Sequence, residues 1–416
     1  MPIPKIPTII VAALSIPDNL DANDLLKFTW EILTGLLARK IKVASYATDG
    51  SNVERSVQDK LEQRADRIID IRIKHPADDG SVHSDITIPI LLFGDQPIAI
   101  LQDPKHLLKT CRNNSFSGAQ VPVLPNHPVL FSDILEMGRA DSPIYLRDVE
   151  KVDRQDDNAA TRLFSGATLE WLSKEHSEQR GLISFLFMCG EMIDAYQNRS
   201  ISIETRVQMI LRAHFFFEFW EKFIEIGGYS KKKHFLSPQC VKIIKALTRG
   251  FLQLVVIYRD YENGRPLLPW LLGTEAVEHV FGMCRQIVKD FTMLDFHLMI
   301  PKLFFQHVRQ MERLVPAAIL IPILTLVEST YLLYPHIQPT SKSRRLQIVL
   351  MKKLTLFLHT SDSRRRISTA QDQVYHPFQA GGQITTHMTR TAMMIVIWMP
   401  PASTRTQRKL MITRQC

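Results

Sequence analysis

The residue types most able to do chemistry in this chain are carboxylates placed at the ends of apolar runs. Asp49 follows Val43-Ala44-Ser45-Tyr46-Ala47-Thr48 and precedes Gly50, Ser51 and a stretch in which Val53, Val57 and Leu61 recur four apart. That pattern reads as a buried strand, a sharp turn and a helix. Ser51 and Glu54 have the spacing of a capping box, which satisfies the first orphan amides of such a helix. The Asp49 carboxylate then stands at the carboxyl end of a strand, where open α/β sheets hold their ligands. A plain turn is the competing reading, because Asp and Gly suit its backbone. Asp103 ends the apolar run from Gln96 and precedes Pro104, a natural cap and first helical residue for a helix carrying His106, Lys109 and Arg112. Glu278 lies beside the apolar face Val277, Phe281, Cys284 and Val288 of a further helix, with Gly282 and Arg285 along the same flank.

The elements that must position these acids can be read in chain order. Residues 7 to 16 are apolar and β-branched, as in a buried strand. Asp21 is a cap for a helix whose stripe is Leu25, Phe28, Ile32 and Leu36. The strand before Asp49 follows, then a helix from Ser51 to about Ile69. Residues 70 to 90 are polar and turn-rich and read as an excursion at the sheet edge. The strand ending at Asp103 and its helix complete an alternation of strands and helices within about 110 residues, which implies a largely parallel α/β core. Residues 115 to 160 hold loop signals. From Ala159 to about Tyr261 the periodicity is helical, with Leu163, Ala167 and Trp171, then Met209, Ala213 and Phe217, each four apart. The aromatic run from Phe215 to Phe223 surrounds its helix, as expected of one buried among other helices. Lys231-Lys232-Lys233-His234 reads as a solvated turn.

Composition narrows the class. With 416 residues, 45% of them apolar, the chain can bury a sizeable core. Five cysteines without a C-x-x-C pair argue against a disulfide framework or a common structural zinc, and for a reducing intracellular compartment. Lys5 and the prolines Pro2, Pro4 and Pro7 do not form a secretory leader. The longest apolar run, Val315 to Val327, contains Pro316 and Pro322 and is too short to span a membrane. The net charge of +9 is unevenly placed: residues 337 to 416 carry thirteen Lys and Arg against two acids, leaving the rest at −2. A polyanion-binding body is therefore not indicated by charge alone. That tail lacks Glu and clear periodicity, and reads as disordered or as out-of-frame sequence.

Three local motifs resemble one family. Thr48-Asp49-Gly50-Ser51-Asn52 looks like the motif around the second catalytic Asp of P element and hAT transposases. Asp103-Pro104-Lys105-His106-Leu107-Leu108-Lys109-Thr110-Cys111-Arg112-Asn113 is similar to a signature of P element-type, THAP-related transposases. Glu278-His279-Val280-Phe281-Gly282 is similar to the segment carrying the final catalytic Glu. Comparable arrangements occur in transposon-derived reading frames of mushroom-forming fungi. The resemblance spans about residues 7 to 330.

It implies an incomplete RNase H-like sheet with flanking helices and a large all-α insertion. The implied divisions are a partial α/β core at 1–120, a helical insertion at 121–265, a helical segment with Glu278 at 266–335 packing back on the core, and a basic tail at 336–416. The implied chemistry is DNA strand cleavage and transfer with two divalent ions, Mg²⁺ or Mn²⁺, about 4 Å apart. Asp49 and Glu278 would be two of three metal-binding carboxylates. His106, Lys109 and Arg112 would face nucleic-acid phosphates or, alternatively, fix the helix in place. DNA is the implied partner, no membrane is expected, and the nucleus is a candidate location. The family's first catalytic Asp lies on a strand before residues 7 to 16, so the expectation is a chain without strand-transfer activity. The alternatives are a non-catalytic helical scaffold and a protein that binds nucleic acid through its tail.

Overall fold

The computed structural model describes residues 9–15, 21–73, 86–116, 118, 120–125, 127–150, 153–262, 264–292, 294–296, 298–299, 302–303 and 392–397. In chain order the elements are β1 (Ile9–Ser15), α1 (Ala22–Ala38), β2 (Ser45–Thr48), α2 (Asn52–Glu62), β3 (Arg67–Ile73), β4 (Ile86–Phe93), β5 (Gln96–Pro97), β6 (Ala99–Gln102), α3 (Pro104–Phe116), β7 (Val123–Leu124), β8 (His127–Pro128), α4 (Phe131–Arg139), α5 (Leu146–Glu150), α6 (Asp157–Leu163), α7 (Gly166–Glu175), α8 (Arg180–Gln197), α9 (Ile203–Ile226), α10 (Lys231–His234), α11 (Pro238–Asp260), α12 (Glu275–Ile287) and β9 (Ala392–Ile397). They fall into two compact units, Asp21–Thr274 and Met1–Leu20 with Glu275–Cys416. The protein is helix-rich, with small sheets.

In the unit Asp21–Thr274, local signals set the first helices. Asp21 accepts from the Asn23 and Asp24 amides and completes a capping box with Asp24. Leu25, Leu26, Ile32, Leu33 and Leu36 bury the inner face of α1. Ser51 and Glu54 cap α2 in the same way. β2 and β6 pair in parallel, with Thr48 opposite Gln102, and the Asp103 amide donates to the Thr48 carbonyl at 2.8 Å.

The parallel arrangement stops there. β3 and β4 form an antiparallel hairpin over Arg67–Ile73 and Ile86–Phe93, and β5 adds antiparallel to β4. The helix expected to reach Ile69 ends at Glu62, and both arms of the expected polar excursion at 70–90 are strands. Ile68, Ile69, Ile71 and Ile73 are β-branched, and a partner strand overrides a short helical period. Residues 74–85 lie outside the described set.

α11 lies directly on the sheet. A Cβ at Gly250 would meet the Leu101 side chain at 2.6 Å and the Ile100 carbonyl at 2.8 Å, so only glycine permits this approach. Gln253, fully buried, accepts from the Ile100 amide at 3.2 Å and donates to the Pro89 carbonyl at 2.6 Å. Leu252, Leu254, Val256 and Ile257 pack with Ile88, Ile90, Ala99 and Leu101 in one apolar cluster.

A second cluster joins α3, α4, α8, α9 and α11 around Phe185, Trp220 and Phe251. The expected aromatic helix is there, but not fully enclosed. Phe217 and Trp220 are buried, while Phe219 is 64% and Ile226 85% exposed. Trp220 Nε1 donates to the Val123 carbonyl at 2.7 Å, and the Tyr196 hydroxyl to that of Leu247 at 2.6 Å. At the α8–α9 turn Arg206 is fully buried. Its guanidinium donates to the carbonyls of Ile201 and Ala195 at 3.1 and 2.5 Å, and to that of Asn198. The Trp270 ring lies over it at 5.3 Å. Lys231–His234, expected as a turn, forms one helical turn, with Lys231 paired to Glu221 at 2.5 Å and Glu225 at 3.1 Å.

In the other unit β1 pairs antiparallel with β9, Ile9 opposite Ile397 and Ser15 opposite Ala392. The strand expected at 7–16 is present, but its partner is antiparallel and comes from the tail that was assigned no fold. Val280, Cys284, Phe291, Phe296, Met299 and Leu303 form the apolar cluster under α12. Residues 315–327 lie outside the described set. No helix among the described residues is long and apolar enough to cross a membrane.

Candidate functional site

The parallel pairing of β2 and β6 puts Asp49 and Asp103 at the carboxyl ends of adjacent strands, each followed by the first turn of a helix. Asp103 is buried, and its Oδ2 accepts from the His106 amide at 3.1 Å, so it caps α3 as its position predicts. Asp49 is exposed and Gly50, at φ +86°, turns the chain sharply behind it. That conformation favours glycine. The Ser51 amide donates to Asp49 Oδ1 at 3.0 Å and to Glu54 Oε2 at 3.3 Å, so one N–H draws two carboxyl groups together. Arg55 clamps the turn by donating to the Gly50 carbonyl and the Asn52 side chain.

Two carboxyls that close cannot both ionise easily. Burial, then the hydrogen bond to Asp49 and its charge, push the Glu54 carboxyl up to about 8. The protein packed around its carboxyl also opposes ionisation of Asp49, although the residue as a whole is exposed. The hydrogen bonds from Glu54 and Ser51, with the charges of His106 and Lys109, outweigh it and hold Asp49 below the usual carboxylate range. At neutral pH the pair therefore carries one proton, held by Glu54. Burial lowers the His106 ring below its ordinary range despite the Asp49 charge, so it is neutral and offers a lone pair.

Behind the turn lies a small cluster of buried polar atoms. Gln58 Nε2 donates to the Leu101 carbonyl at 2.6 Å, which fixes its amide; Gln102 Nε2 then donates to Gln58 Oε1 at 3.1 Å. Gln102 must turn its own oxygen outward. A Cβ on Gly50 would meet that Oε1 at 2.6 Å and His106 Cδ2 at 3.4 Å, so the Gln102 oxygen and the His106 ring pack against the glycine and leave no room for a side chain. Gln102 is 2% and Thr48 5% exposed; Gln102 Oε1, Thr48 Oγ1 and His106 Nε2 are buried and have no hydrogen-bond partner among the described residues. Thr48 and Gln102 are register partners, so their side chains project from the same face of the parallel pair.

The divalent cation implied by the transposase resemblance fits this donor set in kind. Carboxylate, amide and hydroxyl oxygens suit a hard ion, and an imidazole suits a softer one. Among the described residues no three His, Cys, Asp or Glu side chains gather as a metal-holding group, so protein carboxylates alone do not complete a cage here.

The remaining candidates are placed as follows. Lys109 pairs with Asp157 at 2.9 Å. Arg112, 1% exposed, donates to the Asp148 carbonyl at 2.6 Å and the Asp153 carbonyl at 2.9 Å, and lies 5.0 Å over the Phe116 ring. It fixes α3 against the following loop, the alternative its position allowed, and presents no face to a phosphate. Glu278 is exposed on α12, in the other unit from Asp49. Glu54 was legible only as a cap. Its five-residue separation from Asp49 carried no separate signal, because the capping box already explained it. Gln58 and Gln102 meet across 44 positions, with no local signature at all.

No family model matches the chain, and no curated protein does. Among solved structures it is similar to the Drosophila P element transposase strand transfer complex, at 17% identity and a TM-score of 0.43, over 64% of this chain. The chain spans 59% of the length of that relative. A likeness of that size determines neither fold nor activity.

Proposed function

We propose that this chain is a transposase-derived, RNase H-like protein whose ancestral chemistry is metal-dependent cleavage and transfer of DNA strands. The observation that carries the reading is the pair of acids, Asp49 and Asp103, leaving the carboxyl ends of two aligned parallel strands beside buried acceptors that lack donors. In this reading Asp49 and Glu278 are metal-holding carboxylates. A bound Mg²⁺ or Mn²⁺ supplies Lewis-acid stabilisation of the reacting phosphodiester. The Ser51 amide orients the Asp49 carboxylate, and Glu54 holds the proton of the pair. Asp103 fixes the start of α3, and His106 projects from its first turn. Lys109, which exchanges its Asp157 partner for a phosphate in this reading, lies along the path of a DNA backbone.

Strand transfer is not part of the proposed present activity. Incubation of the full chain with labelled duplex DNA and Mn²⁺ or Mg²⁺ tests both parts. The expected result is metal-dependent DNA retention, weakened by Asp49→Ala, without nicking. Nicking that disappears in Asp49→Ala would show a competent site and overturn the inactivity. Retention indifferent to metal and to Asp49 would overturn the ancestry.

A second reading, a helical scaffold, is favoured by one observation. Phe219 and Ile226 lie two turns apart on α9, and both are exposed. Loss of a co-purifying protein in Phe219→Ser with unchanged metal binding would support it.

A further inference from the structure

A strand at the edge of a sheet presents open amides and carbonyls, and proteins usually blunt it with a bulge, a proline or a run of like charge. β3 pairs with β4 along its whole length, from Arg67 opposite Leu92 to Ile73 opposite Ile86, and among the described residues no strand pairs with its other side. It has neither bulge nor proline, and its charges, Arg67, Asp70 and Arg72, are of both signs. Ile68 is 52% exposed. Alternation puts Ile69, Ile71 and Ile73 on one face of the sheet, where Ile69 and Ile71 meet the α11 cluster. Ile68, Asp70 and Arg72 share the other face, and all three are exposed.

This sequence is complementary to itself. Two copies of β3 laid antiparallel about a two-fold axis normal to the sheet keep like faces together only when the axis passes at a residue, not between two. An axis at Asp70 sets one Asp against the other, which is destabilising. An axis at Ile69 sets each Asp70 against Ile68. An axis at Ile71 sets Asp70 of each copy against Arg72 of the other, and Ile69 against Ile73. We propose that β3 is a self-association edge, to which a second copy of this chain adds its own β3 antiparallel in the register centred on Ile71. The main-chain ladder supplies the affinity and the two Asp70–Arg72 pairs select the register. The matched stretch, residues 69 to 73, is short, so the interface falls in the small, transient class. The proposal is independent of any metal at Asp49.

Sedimentation velocity of the full-length chain, from about 1 to about 100 μM, reads the association, and circular dichroism confirms that each variant is folded. The wild type is expected to pass from monomer to dimer within that range. Asp70→Arg sets Arg against Arg, and Arg72→Asp sets Asp against Asp; each is expected to weaken the dimer at least about tenfold. The chain carrying both substitutions is expected to regain the wild-type dimer. So is an equimolar mixture of the two single variants, because the two Arg of one copy then meet the two Asp of the other. A wild type that stays monomeric throughout, as when residues 74–85 of the same chain cover the edge, would overturn the proposal. Self-association that neither single reversal weakens would place the contact elsewhere and overturn it. Single variants that weaken but fail to associate when mixed would overturn the register, and the proposal with it.

Discussion

The turn between α8 and α9 and the turn between β2 and α2 both bury polar groups, yet they do so in opposite ways. At the first, Arg206 directs its guanidinium nitrogens to the carbonyls of Ala195, Asn198 and Ile201, and an indole ring covers the charge. Donors and acceptors answer each other, and the result is a rigid joint. At the second, an amide ladder ends in an oxygen with nothing to accept from, next to a hydroxyl and an imidazole in the same condition. The first region is closed by its own chain; the second leaves these atoms open among the described residues. Satisfied buried polarity marks architecture, and unsatisfied buried polarity calls for a water, an ion or a strained contact to account for it.

The contrast can be broken most severely at Arg206. Arg206→Ala removes a buried cation and leaves its carbonyl partners bare, so a loss of about 3 kcal/mol or more is expected in urea unfolding. Arg206→Leu should not restore it, because the carbonyls remain unanswered. A loss below about 1 kcal/mol would mean that the joint is not rigid in the sense argued.

Gly50→Ala comes next. It forces a side chain onto a left-handed backbone and into the Gln102 oxygen, with an expected loss of about 1–3 kcal/mol and of Mn²⁺ binding. Stability retained together with metal binding would deny that Gln102 packs against Gly50.

The third effect is a slope rather than a step. Glu54 is raised from an ordinary carboxyl value of 4.5 to about 8. The folded state therefore binds more protons than the unfolded state between those values. The stabilisation is fully present below the unfolded value and is lost as pH rises towards 8. Melting temperature should fall by several degrees from pH 5 to pH 8, and Glu54→Gln should flatten that fall. A wild-type profile as flat as that of Glu54→Gln would sink the shared proton.

The smallest change sharpens the comparison. Thr48→Val removes a hydroxyl that has no partner, so without metal it should shift stability by less than about 1 kcal/mol. A loss above about 2 kcal/mol would mean that the hydroxyl is already satisfied.

What the sequence disclosed follows from range. The Asp21 cap, the α1 stripe, the Ser51–Glu54 box and the Asp103-Pro104 helix start depend on residues within a turn of one another, and all are present. The β3–β4 hairpin was missed because its strands take their identity from each other across residues 74–85. Arg112 has the look of a surface cation, but its carbonyl partners lie 36 and 41 positions away, and only the folded chain brings them over it. The Gly50 turn was legible as a candidate site from a single acid. The Gln58–Gln102 ladder behind it was not, since nothing local to either glutamine distinguishes it from a surface residue.

Gln253 has a broader consequence. Its carboxamide takes the Ile100 amide on one side and the Pro89 carbonyl on the other, as a peptide group of an intervening strand would. A helix thereby contributes one rung to a β ladder at the place where proline withholds one. Inserting a single residue between Gly250 and Gln253 would rotate that rung by about 100° and unfasten the hairpin from the strand that leads to Asp103. Selection on the spacing between Gly250 and Gln253 would therefore be as strict as selection on Asp49 or Asp103.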